Sequence, residues 1–336
     1  MAVSGWALAF HPLRAIRQAP YPSGMSPFRQ ALADRLNSPP LVVPAVRAHQ
    51  GIVIVAGGDL YGRLAWHLVT VLRGLGCRLP IEIWHLPGEM PPELAAAFAG
   101  LDGVRLVSSD TVGLTPRTRP LGARDAGWWL KAFAVRHSNF AEVLFLDADN
   151  VPTRDPAYLF HDSAYQRAGA MFWPDLPPPR ERGQWVPEAA WRLVGLEPVP
   201  TARPFESGQL LINRRRHIAA CEVAVFLNEW SDHTYKVVYG DKDCWLLAWH
   251  LVGARYHMPP RNPAYRHPAI CQHDSDGELI FQHCCNGKTE IASGKVVEGI
   301  VARRFAPDAA AKLSEILANS REKSGFANWQ PAGKSA

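Results

Sequence analysis

Short apolar runs alternate with amphipathic stretches over the first half of the chain. Gly51-Ile52-Val53-Ile54-Val55-Ala56 is a run of strand formers that reads as a buried strand. Tyr61, Leu64, Ala65, Leu68, Val69 and Leu72 recur at helical spacing, and Gly76 stands where a helix stop belongs. Strands follow at 81–86 and 104–107, separated by a helix over 91–98 with proline in its first turn. The pattern predicts a helix over 128–137, leading into the apolar strand Val143-Leu144-Phe145-Leu146. This alternation predicts an α/β fold with a mostly parallel sheet covered by helices.

After residue 150 the pattern loosens. A proline-rich loop is expected over 174–187, with Trp173 and Trp185. A strand is expected over 206–213, a helix over 217–230, a second helix from Asp241, and short strands and loops across 255–283. Prolines at 12, 20, 22, 27, 39, 40 and 44 predict an irregular extension over 1–48 with one short helix near 27–37. The expected organisation is that extension, one α/β domain over 49–305, and a C-terminal helix (307–319) with a disordered tail in 306–336.

Composition narrows the class. At 47% hydrophobic and 20% charged residues, the chain has the make-up of a soluble globular protein. A net charge of +5 suits a phosphorylated substrate or an anionic surface and does not call for nucleic acid. With no apolar run of about 18 residues, no transmembrane helix is expected. Trp6-Ala7-Leu8-Ala9-Phe10 is too short for a secretory segment and has no basic residue before it. Six scattered cysteines (77, 221, 244, 271, 284 and 285) point to a reducing compartment. The expected location is cytoplasmic, with peripheral contact at a membrane also compatible.

The chemistry concentrates at Asp147-Ala148-Asp149, where the apolar strand ends. Side chains alternate along a strand, so the two carboxylates face one side. Ligand sites in open α/β sheets lie at the carboxyl ends of strands. Two carboxylates there repel unless a cation lies between them, and hard divalent ions prefer oxygen ligands. A metal bridging to a diphosphate is the functional reading; a charged loop or cap after a core strand is the structural one. Gly57 and Gly58 lie between the first strand and a helix, where backbone approaches a ligand closely and the helix N-terminus favours anions. Tight turns explain those glycines equally well. Tyr61 is read first as core and second as a nucleobase stack. Lys131, among core-like neighbours, either meets phosphate or lies on a solvated helix face. Glu206-Ser207-Gly208-Gln209 offers carboxylate and amide groups suited to sugar hydroxyls, or a plain turn. Asp241 and Asp243 pair carboxylates at a helix start, where capping explains one of them. His283 could complete a metal site begun by the two aspartates, and Gly287 with Lys288 could hold a diphosphate.

These residues, in this order, resemble a GT-A glycosyltransferase of the MNN-type α-mannosyltransferase family, glycosyltransferase family 71. The similarity spans roughly 51–290. It rests on Gly51 to Gly58 with Tyr61, the stretch Leu72 to Trp84, Lys131 with Phe133-Ala134, Ser138 to Asn150, Glu206 to Gln209, and Gly240-Asp241-Lys242-Asp243. The resemblance implies a retaining transferase that uses Mn²⁺ (or Mg²⁺) and a nucleotide sugar, with GDP-mannose favoured and a UDP-sugar also compatible. It assigns Asp147 and Asp149 to the metal and donor diphosphate, and implies a glycan or glycolipid acceptor. By similarity to glycogenin-like transferases, Tyr61 touches the base, while His283 and Lys288 bind metal and pyrophosphate. Their pattern there is His-x-x-Gly-x-x-Lys, whereas here Gly287-Lys288 follows His283 directly after three residues. Glu206, Gln209, Asp241 and Asp243 are then expected to hold the sugar and acceptor, and Trp173 and Trp185 either stack on an acceptor sugar or pack in the core. Two other classes fit parts of the pattern. A sugar-nucleotide pyrophosphorylase also pairs aspartates on an α/β sheet, although Gly58 is followed here by Asp59-Leu60. A non-catalytic module could bind structural zinc through Cys271, His273, His283, Cys284 and Cys285, although adjacent cysteines are poorly spaced for one tetrahedral site.

Overall fold

The computed structural model describes residues 26–38, 48–112, 127–177 and 186–292. The helix expected over 307–319, the tail and Trp185 lie outside these residues, as does most of the 1–48 extension.

In chain order the elements are α1 (Pro27–Asn37), β1 (Ala48–Val55), α2 (Gly58–Gly74), β2 (Ile81–His85), α3 (Pro92–Ala99) and β3 (Val104–Ser108). Then come α4 (Trp128–His137), β4 (Phe140–Asp147), β5 (Asn150–Pro152), α5 (Ser163–Ala168), β6 (Ala170–Pro174) and α6 (Glu188–Leu193). The described chain closes with β7 (Phe205–Asn213), α7 (Arg214–Glu229), α8 (Ser231–Thr234), α9 (Asp241–Val252), β8 (Ala264–Arg266), β9 (Ala269–His273), β10 (Leu279–His283) and α10 (Lys288–Ala292).

The main sheet has the order β3-β2-β1-β4-β7-β6. Strands β1 to β4 are mutually parallel, and β7 runs antiparallel to both β4 and β6. The sheet is therefore mostly parallel, as the alternation predicted. Burial of every apolar residue of β4 follows from coverage of both faces. Val143 and Phe145 pack with α4, α7 and α9, while Leu144 and Leu146 pack with α2 on the other side. Register places Val55 opposite Asp147, so the glycine turn after β1 lies beside the acidic end of β4.

Two features depart from the expected elements. Ala170–Pro174 is a strand, so Trp173 is not on the proline-rich loop: it is fully buried, donates its indole N–H to the His273 carbonyl at 2.8 Å, and packs edge-on against Phe281. It is core, which removes it as an acceptor platform. The helix expected from 217 begins at Arg214, because the Asn213 side chain caps it by accepting from the Arg216 N–H, and a kink at His217 follows. The short strands expected over 255–283 are present as β8, β9 and β10, and with β5 they form a second antiparallel sheet of order β5-β10-β9-β8. Only Ala148 and Asp149 separate β4 from β5, so the chain steps from one sheet to the other at the acidic pair. The short helix expected near 27–37 is present, with Phe28 fully buried against Phe226, Trp230 and His233 of the α7–α8 region. Among the described residues no helix is long and apolar enough to cross a membrane.

Arg214 holds the start of β4 from inside. It is fully buried, and its guanidinium donates to the carbonyls of Arg136, Ser138 and Phe140, the turn between α4 and β4. Burial pulls its pKa down to about 10, with Arg136 adding to the fall. Removing the donor strands three buried carbonyls, each costing about 1–3 kcal/mol. Arg214→Met is therefore expected to lower stability by about 3–5 kcal/mol, read from urea unfolding of the purified chain.

Buried histidines, His137 and His273 foremost, contribute to the response to acid. Burial, with Arg136 and Arg214 nearby, pushes His137 down to about 4; burial and Arg261 do the same to His273. The unfolded chain takes up these protons near 6.5, well before the folded one. Stability should therefore fall as pH drops from about 6.5 towards 4, seen as a declining urea midpoint. A flat midpoint across that window would contradict this account.

Candidate functional site

The site is assembled from the carboxyl ends of β1 and β4, the end of β10, and the starts of α4, α9 and α10. Asp147 closes β4, and Asp149 follows in the two-residue step to β5. Pairing of β10 with β5 sets His283 opposite Asn150, and the Cys284 N–H donates to the Asp149 carbonyl at 2.9 Å. His283 Nε2 thereby lies 3.6 Å from Asp147 Oδ2 and 3.4 Å from Asp149 Oδ1. One ligand atom from each of the three side chains lies within 4.8 Å of the other two. Two carboxylates and an imidazole suit a divalent ion.

A buried belt orients the imidazole. Glu206 Oε1 lies 2.9 Å from His283 Nδ1 and also accepts from the Gly208 N–H. The Gln209 amide donates to Glu206 Oε2 at 2.7 Å, and the Asn150 amide donates to Gln209 Oε1 at 2.6 Å. The belt leaves Nε2 facing the aspartates. Gly208 makes room for the ring: a Cβ there would come within 2.5 Å of His283 Nδ1. Burial opposes charge on His283, but Glu206 and Asp149 together hold its pKa well above the ordinary value. Burial likewise opposes charge on Asp149, and His283 and Lys288 overcome it, holding its carboxyl well below the usual range.

Two lysines flank the acidic pair. Lys131 of α4 lies 2.8 Å from Asp147 Oδ2 and 3.7 Å from Asp241 Oδ2. Although burial disfavours its charge, these carboxylates hold its pKa high. Lys288, opening α10, pairs with Asp149 Oδ2, and its ammonium lies 5.5 Å from the centre of the Tyr61 ring. Tyr61 is 44% exposed, so the expectation of core packing does not hold for it. Asp147, Ala148, Asp149, Lys131, Lys288, Tyr61 and Gly57 all border one cleft of about 310 Å³, together with Trp128 and Glu89.

Other residues singled out in the sequence stand further back. Gly58 has φ +68°, which favours glycine, and its N–H donates to the Glu89 carbonyl. Gly287 packs on Pro268 and donates its N–H to the Cys284 carbonyl. Gln209 is fully buried within the belt, and Glu206 is nearly so. Asp243 accepts from the Tyr239 N–H and from Lys242, tying down the loop before α9. Asp241 is buried next to Lys131, and its Oδ2 has no hydrogen-bond partner. Burial raises its pKa; Lys131 pulls it back and Asp147 adds to the rise. The proposed zinc set does not converge: among the described residues the only such group with closely spaced ligand atoms is Asp147, Asp149 and His283. The Cys284 thiol instead points to the Gln282 carbonyl, and the Cys271 sulfur accepts from the Gln282 amide.

A family model described as mannosyltransferase matches residues 49–187 and 198–276, more than half of the chain. The chain belongs to this mannosyltransferase family. It is 27% identical over 260 residues to the α-1,2-mannosyltransferase MNN21 of Candida albicans, covering 62% of this chain and 38% of that protein. It is 23% identical over 320 residues to the α-1,2-mannosyltransferase MNN5 of Saccharomyces cerevisiae, covering 77% of this chain and 53% of that one. The chain thus spans between about a third and about half of these curated relatives' lengths. Among solved structures, the galactosyltransferase LgtC in complex with donor and acceptor sugar analogues aligns at 16% identity with a TM-score of 0.45, covering 81% of this chain and 99% of that one.

In this member of the mannosyltransferase family, sequence reading passed over Trp128 and Glu89 as cleft residues. Trp128 opens α4, and its position three residues before Lys131 was the available signal, since residues three apart share a helix face. Glu89 lies in the turn after β2, where no periodicity marks it. Gly208→Ala is expected to displace the His283 ring. Affinity for Mn²⁺, measured by isothermal titration, should fall about 10-fold or more while the far-ultraviolet circular dichroism stays unchanged.

Proposed function

We propose that this chain is a divalent-metal-dependent glycosyltransferase that moves a hexose, with mannose preferred, from a nucleotide sugar to a glycan acceptor with retention of configuration. The observation that carries the reading is the convergence of Asp147, Asp149 and His283 at the mouth of one cleft, flanked by two lysines. Family membership supports mannose as the sugar, and the resemblance described above supports retention and a GDP-linked donor, a UDP-sugar being the second choice. Departure of the diphosphate is the demanding step, because negative charge gathers on it as the glycosidic bond breaks. A Mn²⁺ or Mg²⁺ held by Asp147, Asp149 and His283 would neutralise part of that charge.

The chain's own groups do the rest of the work. Lys288 brings a second positive charge beside Asp149 and next to the exposed ring of Tyr61, which offers its face to a nucleobase. Glu206, held by Gln209 and Gly208, fixes the orientation of His283. Lys131 bridges the acidic strand end to Asp241. Asp241 Oδ2, buried and 3.7 Å from Lys131 Nζ, helps hold that ammonium beside the acidic pair. As the sugar gains oxocarbenium character, the neighbouring carboxylates favour it electrostatically.

The test is a donor-hydrolysis and transfer panel across GDP- and UDP-sugars, with Mn²⁺ and with EDTA. GDP-mannose turnover that requires the metal is expected. Asp149→Asn should lower it by about 10³-fold while the thermal melt remains cooperative. Undiminished turnover in EDTA would defeat the metal reading. Sugar nucleotide formed from a sugar 1-phosphate and a nucleoside triphosphate would favour a pyrophosphorylase instead.

A further inference from the structure

Beyond the acidic pair and its lysines, the rim of the cleft near the start of α9 is aromatic. Tyr239 is 76% exposed, the most exposed large hydrophobic side chain among the described residues. One exposed tyrosine is ordinary by itself, but three observations make this one part of a constructed surface. Its ring leans on Trp128, with centroids 6.3 Å apart and planes tilted by 40°, and Trp128 lines the cleft. Gly240, which joins Tyr239 to α9, has φ +80°, and a Cβ there would come within 2.6 Å of the Trp128 ring, so the backbone is shaped to receive that indole. The Tyr239 N–H donates to Asp243 Oδ2 at 3.0 Å, which anchors the exposed residue to the first turn of the helix.

Polar groups stand next to the rings. Lys242 Nζ lies 6.0 Å from the Tyr239 centroid and 3.0 Å from Asp175 Oδ2, just past the end of β6. Asp241, the first residue of the same helix, reaches the acidic end of β4 through Lys131. An aromatic face beside a carboxylate and an ammonium matches a pyranose, which has an apolar C–H face and a periphery of hydroxyls. Packing alone does not account for a ring left so open against a cleft residue.

We infer that Tyr239 and Trp128 form a platform for a hexopyranose of the acceptor glycan, whose hydroxyls are met by Asp175 and Lys242. This inference rests on the transferase reading above and assigns it an acceptor subsite. Tyr239 and Trp128 take the role for which Trp173, buried in β6, is unavailable.

The test is a titration of the full chain with methyl α-mannopyranoside and with an α-linked mannobiose, followed by saturation-transfer NMR and tryptophan fluorescence. Saturable binding with a Kd on the order of 1 mM is expected for the wild type. Tyr239→Ala should weaken it about 10-fold, and Tyr239→Phe should keep it within about twofold, because the ring and not the hydroxyl carries the contact. GDP and UDP binding are measured on the same preparations. Nucleotide binding together with no saturable glycoside binding, or with glycoside affinity unchanged by Tyr239→Ala, would overturn the platform and leave the donor site standing. A wild type that takes up neither nucleotide would overturn the transferase reading itself.

Discussion

Two carboxylates one residue apart, at the step between two sheets, impose the condition that the surrounding structure meets. Asp147 and Asp149 repel each other, and Asp149 is almost fully buried, so each requires positive charge nearby. The fold supplies it from three directions: Lys131 from α4, His283 from the end of β10 and Lys288 from the start of α10. Burial opposes charge on that imidazole, and Glu206 and Asp149 favour it.

Rigidity behind the site comes from groups that never reach the cleft. Asn150, Gln209 and Glu206 form a buried amide–amide–carboxylate chain ending on His283, and it passes from the second sheet through β7 of the main one and back. Arg214 does similar work beneath β4 by collecting the carbonyls of the turn that starts the strand. Such side chains are expensive to bury, and the hydrogen bonds they make favour one geometry at the strand end. The cleft side, by contrast, keeps Tyr61, Trp128 and Tyr239 partly open, where large flat surfaces can meet a base or a sugar.

Much of the α/β half was legible because its signals are local. The apolar run through Leu146, the helical spacing from Tyr61 to Leu72 and the glycine at 76 each report on their own segment. The match of α4 with 128–137 and of α1 with 27–37 has the same origin. Less legible were the elements whose burial depends on distant partners. Ala170–Pro174 is only five residues long and borders a proline-rich stretch, so its strand character emerges only when β7 lies alongside. Tyr61 occupies a position in an amphipathic pattern that normally faces the core, yet it lies in the first turn of α2, just past the carboxyl end of β1, and remains exposed.

The sequence by itself determined the class of fold, the end of β4 as the place for chemistry, and the residue types available there. These follow from hydrophobic periodicity and from the chemistry of a repeated carboxylate, both readable within a few residues. Only the tertiary structure decided which distant groups join them. Lys288 meets Asp149 across 139 residues of chain, and Glu206 meets His283 across 77. It also turned Glu206 and Gln209 inward as supports, sent Trp173 to the core and brought Tyr239 to the rim. Those outcomes depend on strand order and on how the second sheet folds back on the first. No local pattern encodes either, because each residue's neighbours there are set by packing and not by sequence distance.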